Sequence, residues 1–274
     1  MPDAAAEIRI PPEGFTDLHC HLIPGIDDGP ADMEAALALC RQMVEQGVRT
    51  ATATPHQSHS WPANTAGFIR ERLADLQRVV KVEGVGLEVL AGADVRVDAD
   101  FLERLKRDEI ITVADRGKAV LLELPDNVVY PLEELSFQLR LRRVVPVLTH
   151  PERCDPLTRD LKTVREWAEQ GMLMQVTTGS LLGEFGPRAR TAAEEMVNQG
   201  LVTFFASDAH GPEKRKPNHR AAYARIAELW GPDAARKLMV DNPAAVLAGK
   251  PVRPVEVRPP EPPRRSLWAR LFGG

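Results

Sequence analysis

Cysteine is scarce. Three residues in 274, Cys20, Cys40 and Cys154, are odd in number and far apart. A disulfide scaffold or a cysteine-rich zinc site is therefore excluded, and a reducing compartment is expected. Positive charge is not in excess either, with 35 Lys and Arg against 39 Asp and Glu and a formal net charge of −4. A dedicated nucleic-acid binder is more often strongly basic, so that class loses weight. No apolar run approaches the roughly 18 residues that cross a bilayer. The stretch Met1–Gly14 lacks the basic and apolar regions of a signal peptide. A soluble, cytoplasmic protein without a transmembrane segment is the expectation. Hydrophobic residues at 43% and charged residues at 27% exclude a chain that is disordered in bulk.

What is present is alternation. Seven short apolar runs rich in β-branched residues fall at about 15–20, 48–53, 86–91, 119–124, 144–149, 172–177 and 201–206. Between them lie stretches of helical period. Met33, Ala36, Leu37, Cys40, Met43 and Val44 recur at steps of three and four before Gly47, which stands where a helix ends. Ile69, Leu73, Leu76 and Val80 repeat the pattern. Strand–helix alternation predicts an α/β fold with a parallel sheet, and seven units without a long interruption favour a closed barrel over an open sheet. The expected organisation is an N-terminal extension over 1–14, a barrel domain over 15–249 and a disordered tail over 250–274. That tail holds six prolines and six Lys or Arg, carries +4 and ends in an apolar cluster of Trp268, Leu271 and Phe272.

Chemistry gathers at the ends of these runs. Asp17-Leu18-His19-Cys20-His21 closes the first, and alternation along a strand turns His19 and His21 to one side while Cys20 goes to the core. His56 ends the second run, Asp94 follows the third, Glu123 ends the fourth, His150 ends the fifth, and Asp208 and His210 follow the seventh. Asp28, in the loop after the first run, can join them. A lone histidine near a strand end is more often structural than a ligand. Six strand ends delivering such groups to the C-terminal face of a parallel barrel, where active sites lie, is a different matter. Glu123 adds weight, because a carboxylate inside Leu121-Leu122-Glu123-Leu124 is costly to bury unless paired or metal-bound. His59 and His219 fall outside the pattern and are read as loop or helix-surface residues.

Imidazoles and carboxylates without thiolate suit Mn²⁺, Fe²⁺ or Zn²⁺. Nine ligands exceed one ion and suit two or three with bridging carboxylates. Rival nucleophiles fail on spacing: the positions six residues after each cysteine hold Ile26, Gln46 and Asp160 rather than arginine, and neither a Walker loop nor a Gly-x-Ser-x-Gly elbow is found. Metal-activated water is the remaining nucleophile.

Taken together, Asp17-Leu18-His19-Cys20-His21 through Gly29, Ala53-Thr54-Pro55-His56, Leu121-Leu122-Glu123-Leu124-Pro125, His150-Pro151-Glu152-Arg153, Ser207-Asp208-Ala209-His210 and Asp241-Asn242-Pro243 resemble the PHP (polymerase and histidinol phosphatase) superfamily. Within it the likeness is to the bacterial metal-dependent protein-tyrosine phosphatases of capsular and exopolysaccharide operons, from about Thr16 to Gly249. The resemblance implies a distorted seven-stranded (β/α) barrel of the PHP type and three divalent metal ions, often manganese. It also implies hydrolysis of phosphotyrosine on a partner tyrosine kinase of polysaccharide export. It places metal ligands at His19, His21, Asp28, His56, Glu123, His150, Asp208 and His210, and phosphate-holding arginines at Arg153 and Arg215. One position departs from the family, which usually has Gly-x-Glu where this chain has Gly92-Ala93-Asp94. Two alternatives stand beside this reading: a phosphatase of a small metabolite such as histidinol phosphate, and a non-catalytic regulatory module with structural metals. The loop Gln57–Asn64, with Trp61 and Pro62, would border the site in either enzyme.

Overall fold

The computed structural model describes residues 10–252 and 254–257. Among the described residues there are nine strands: β1 Phe15–Cys20, β2 Val48–Ala53, β3 His56–Gln57, β4 Glu88–Ala91, β5 Asp94–Arg96, β6 Ala119–Glu123, β7 Val145–Thr149, β8 Leu173–Thr177 and β9 Phe204–Ala206. Every paired neighbour is parallel. They form two sheets, ordered β1-β2-β4 and β3-β5-β6-β7-β8-β9, where the sequence pattern predicted one ring of seven.

Two of the expected strands, over 48–53 and 86–91, are each followed after a break by a further short strand, β3 and β5, and the breaks have chemical causes. Pro55 separates β2 from β3 and has no N–H to give the ladder. Gly92 separates β4 from β5 and packs so closely that a Cβ there would come within 2.5 Å of the Thr52 side chain. Across the breaks the Asp94 N–H donates to the Pro55 carbonyl at 3.1 Å. On the other side, the Asp208 N–H donates to the His19 carbonyl and the His21 N–H to the Ala209 carbonyl, both at 2.8 Å. The end of β1 is thereby tied to the segment that follows β9.

Helices cover the sheets as the periodicity predicts. Asp32 caps the helix Met33–Glu45 by accepting from the Ala35 N–H at 2.9 Å, and Ala36, Leu39, Cys40 and Met43 are its buried face. Gly47 follows at φ 91°, the left-handed conformation that closes a helix without a Cβ penalty. Thr65 caps Ala66–Val82, whose Ile69, Leu73, Leu76 and Val80 are buried.

A second, smaller cluster explains how the fold makes a site. Ala119 and Leu121 of β6, Val147 of β7, Leu173 of β8, and Phe204 and Ala206 of β9 pack together with Leu18. Alternation puts the residue two further along each strand on the same face. Those residues are Glu123, Thr149 and Gln175, and Asp208 follows just past the end of β9. One strand face thus changes from apolar to polar as the strands run toward their C-terminal ends.

One expectation needs correction. His219 is not on a helix surface. It is buried at the start of the helix His219–Trp230, stacks on Phe15 at 5.6 Å and places Nε2 3.2 Å from Asp17 Oδ2. Past the expected boundary at 249, a few residues pack on the body. Val255 is buried with its N–H on the Val202 carbonyl, and Val252 and Val257 pack on the body. Trp268, Leu271 and Phe272 lie outside the described residues. Among the described residues, no helix is long and apolar enough to cross a membrane.

Candidate metal centre

All nine candidate ligands come together, in four overlapping groups: His21, Asp28, His56 and His210; His19, His21 and Asp94; His19, His150 and Asp208; His56, Asp94 and Glu123. His19 Nε2 lies 3.5 Å from Asp94 Oδ2 and 3.3 Å from Asp208 Oδ1. Asp208 Oδ1 is also 3.5 Å from His21 Nε2. Asp28 Oδ1 stands 3.4 Å from His56 Nε2 and 3.3 Å from His210 Nε2. Asp94 Oδ2 is within reach of His56 and His150, at 3.8 and 3.7 Å, and Glu123 Oε2 is 3.5 Å from His56 Nδ1. Asp94, Asp208 and the two first-strand histidines are buried, while Asp28 is half exposed at the mouth. His150 and Asp208 adopt φ of 36° and 53°. Left-handed backbone at non-glycine residues is uncommon and clusters at functional sites. Here it turns the chain sharply at the ends of β7 and β9.

The residues fit metal ions for a reason the hydrogen-bond pattern shows. His19 Nε2, His21 Nε2 and Asp94 Oδ2 are buried and have no hydrogen-bond partner among the described residues. Buried polar atoms are almost always partnered, so three orphans facing one another mark a place where a cation belongs. The opposite ring nitrogens are taken. His19 Nδ1 donates to Gln175 Oε1 at 2.9 Å, His21 Nδ1 to Asp27 Oδ2 at 2.7 Å and His210 Nδ1 to the Asp208 carbonyl at 2.9 Å. Such bonds fix the tautomer that leaves Nε2 of His19 and His21 with its lone pair toward a metal, while His210 Nε2 accepts from Arg215.

Electrostatics agrees with a concentration of acid and imidazole. Burial works against a charged His56, but hydrogen bonds to Asp28 and Glu123 outweigh it and push the imidazole up to about 11. Burial likewise opposes charge on His21, and the Asp27 carboxylate overcomes it, raising the group to about 9. Burial dominates at His19 and His210, which are lowered, the latter to about 4. Asp94 and Asp208 are held below the ordinary carboxylate range, burial notwithstanding, by His19 above all.

The two arginines arrive at one carboxylate oxygen. Arg153 Nη1 and Arg215 Nη2 both donate to Asp208 Oδ2, and Arg215 Nη1 donates to His210 Nε2 at 2.8 Å. Their guanidinium carbons stand 4.6 and 5.5 Å from the centre of the Phe185 ring, which holds both by its π face. His59 stays outside the cluster, its side chain 88% exposed.

Several residues of the site went unpredicted. Asp27 accepts from His21, from the His56 N–H at 3.1 Å and from the Gly29 N–H at 3.0 Å. Arg96 grips Glu123 at 3.0 and 3.1 Å. Thr149 Oγ1 donates to Asp94 Oδ1 at 3.1 Å. Glu152, buried, accepts from Ser180 Oγ and the Thr177 N–H and so braces the turn after β8. The loop Gln57–Asn64 is anchored at both ends: the Gln57 amide donates to the Asn64 and Glu109 carbonyls, and the Asn64 amide to the His56 carbonyl.

Known proteins share this arrangement of chain. Tyrosine-protein phosphatase YwqE of Bacillus subtilis (strain 168) is 30% identical over 258 residues, 94% of this chain and 98% of its own length. Tyrosine-protein phosphatase CpsB of Streptococcus pneumoniae is 29% identical, with 84% of this chain and 97% of that protein covered. A crystal structure from work on YwqE and CpsB, described as unique metal-dependent tyrosine phosphatases, superposes with a TM-score of 0.84 at 29% identity. It covers 90% of this chain and 100% of that one. With residues 15–248 matching the family described as "Capsular polysaccharide synthesis, CpsB/CapC", the chain belongs to that family.

Proposed function

We propose that this protein is a metal-dependent protein-tyrosine phosphatase that removes phosphate from phosphotyrosyl protein, its physiological substrate being a tyrosine kinase that regulates capsular or exopolysaccharide synthesis in the cytoplasm. The observation that carries the reading is the set of orphaned buried atoms, His19 Nε2, His21 Nε2 and Asp94 Oδ2, within four overlapping groups of ligand-type residues. Similarity to YwqE and CpsB supports the substrate class. For the fold we propose a distorted seven-stranded barrel. The paired breaks at Pro55 and Gly92 let two strands each span both sheets, and the bonds from Asp208 and to Ala209 join β1 to the far edge.

In this reading His19, His21, Asp28, His56, Asp94, Glu123, His150, Asp208 and His210 hold three divalent ions, manganese being the first choice and iron or zinc the others. Bound there, the ions supply a Lewis acid and lower the pKa of water to make a nucleophile at neutral pH. The chain's own residues do the rest. Arg153 and Arg215 offer charge-assisted hydrogen bonds to the phosphoryl oxygens, and Phe185 keeps their planes fixed. Gln175 and Asp27 orient His19 and His21. Phenolate, with a pKa near 10, leaves more readily than an alkoxide, so tyrosine phosphate needs little help from a general acid.

The test is turnover of phosphotyrosine, phosphoserine and histidinol phosphate by chelator-stripped protein with each metal added back. Restoration of phosphotyrosine turnover by Mn²⁺ is expected, with thiol alkylation having little effect. Activity that survives chelation but not alkylation would overturn the metal reading, and preference for histidinol phosphate would favour the metabolite phosphatase.

A further inference from the structure

Next to Glu123 the protein has a groove of about 840 Å³ that the phosphoryl chemistry does not use. Its lining includes Val97, Leu102, Tyr130, Pro131 and Leu135, with Ala99 at the surface. Val97, Leu102 and Leu135 are only partly buried, their inner sides against the core. Tyr130 is 42% exposed, and it and nearby Val128 are among the few large hydrophobic side chains of the described residues left open to water. An apolar hollow of this kind is a site for an apolar group.

Its position suggests which group. Arg96 lines the groove and also holds Glu123 at 3.0 Å, and Glu123 belongs to one ligand group with His56 and Asp94. One guanidinium therefore separates the groove from the candidate centre. A phosphotyrosine whose phosphate reaches that centre is still attached to a polypeptide, which must leave over the rim. An extended chain advances about 3.3 Å per residue with side chains alternating in direction, so a residue a few positions away meets the groove. A small metabolite has nothing to place there. Charge narrows the choice further. Asp98 is already compensated by Arg104 at 2.8 Å, whereas Glu134, on the groove wall, is bonded among the described residues only to the neutral amide of Gln138. Its carboxylate repels an acidic neighbour.

We propose that this groove recognises an aliphatic or aromatic side chain flanking the phosphotyrosine of the protein substrate, and that it sets the peptide preference of the enzyme. The inference rests on the phosphatase reading above. It deepens that reading by assigning a specificity site that lies outside the ligand cluster.

The experiment uses metal-loaded full-length protein and two sets of probes. Phosphotyrosyl peptides carry leucine, serine or aspartate at each position from three before to three after the phosphotyrosine, and p-nitrophenyl phosphate reports the chemistry alone. Wild-type protein is expected to favour leucine over serine by about tenfold in kcat/KM at one or two positions, the scale of a filled against an empty apolar pocket, with aspartate worst. Ala99→Trp, which fills the groove from its exposed wall, and Tyr130→Ala, which removes a wall, should each bring that preference to within about twofold. Both should leave p-nitrophenyl phosphate turnover within about twofold of wild type. A wild-type enzyme indifferent to flanking residues would overturn the proposal. So would a preference that survives both substitutions, or a parallel loss of p-nitrophenyl phosphate turnover, which would make the groove wall part of the centre. Failure to turn over any phosphotyrosyl probe, or p-nitrophenyl phosphate, would instead overturn the phosphatase reading itself.

Discussion

Asp27→Asn is the sharpest probe of how the centre is held, because it changes charge and one donor while keeping volume. The carboxylate serves three donors: Oδ2 accepts from His21 Nδ1 at 2.7 Å and from the His56 N–H at 3.1 Å, and Oδ1 accepts from the Gly29 N–H at 3.0 Å. An amide has only one acceptor atom. If its oxygen takes the Oδ2 position, the NH₂ group meets the Gly29 N–H, donor against donor. If the amide turns over, His56 N–H and His21 Nδ1 lose their acceptor instead. The first orientation loses less, and an unsatisfied buried donor costs about 1–3 kcal/mol. Metal-free protein should therefore lose about that much unfolding free energy, read as a lower denaturant midpoint. The charge that holds the His21 proton is also lost, and changing such a supporting carboxylate typically lowers metal affinity about 10- to 100-fold. Denaturation in chelator and calorimetric metal titration measure the two effects separately. Unchanged stability together with unchanged metal affinity would refute the reasoning, since the three hydrogen bonds would then carry nothing.

Other outcomes follow from the same geometry. Metal-free His21 and His56, raised to about 9 and about 11, keep their protons at pH 7.5 and must lose them to ligate, so loading should release about two protons, read by calorimetry in buffers of different ionisation enthalpy. In chelator these imidazoles stabilise the fold fully below their unfolded value near 6.5, and that contribution should fade as pH rises through about 9 and about 11 in thermal melts. Arg153→Ala should cut kcat/KM by at least about 100-fold, roughly 2.7 kcal/mol, with metal content by elemental analysis unchanged. Asp94→Ala should lose at least one metal and nearly all turnover. Asp94→Glu should also lose activity, because the Thr149 bond and the ring of histidines around Asp94 are placed for the shorter side chain.

The sequence made the candidate residues legible because two regularities act together. Parallel strands deliver their C-terminal ends to one side, and a period of two fixes which residues share a face. Hence nine ligand-type residues scattered from His19 to His210 could be read as one cluster, and the structure brings them into overlapping groups. The same logic, applied further, would have found Gln175. A lone amide within Leu173-Met174-Gln175-Val176-Thr177 is as costly to bury unpaired as Glu123, and it lies two residues beyond Leu173 on the same face. Asp27 was harder, since adjacent aspartates in a loop carry no face. Only the fold decides that Asp28 turns to the mouth while Asp27 goes beneath His21. His219 was misread because a helix's first residue belongs to no clear stripe, and the carboxylate that draws it inward, Asp17, is about 200 residues away in the chain. The split sheets escaped prediction for a related reason. Pro55 announces a break in a ladder, but whether the strand resumes depends on Gly92 of the neighbouring strand approaching closely enough for the Asp94 N–H to find the Pro55 carbonyl.

Asp208 shows why the arginines and the ligand cluster cannot be treated as separate halves of a site. Its two oxygens face opposite ways: Oδ1 lies among His19, His21 and His210, and Oδ2 takes both Arg153 and Arg215. A buried carboxylate with so many cationic or donor neighbours stays ionised, and its lowered pKa follows from that surplus. The arginines are in turn kept from straying by a carboxylate and an aromatic face, so little side-chain entropy remains to be lost when an anion arrives. In the proposed reading, that pre-organisation has a cost: phosphate must share guanidinium groups already engaged with Asp208. Binding of the ground state is weakened by the sharing. As negative charge grows on the phosphoryl oxygens, the balance moves from Asp208 toward the substrate, and an interaction that strengthens along the reaction lowers the barrier more than one that is complete at the start. The same carboxylate therefore links the ligand cluster to the phosphate clamp, and a substitution at Asp208 is expected to disturb both together.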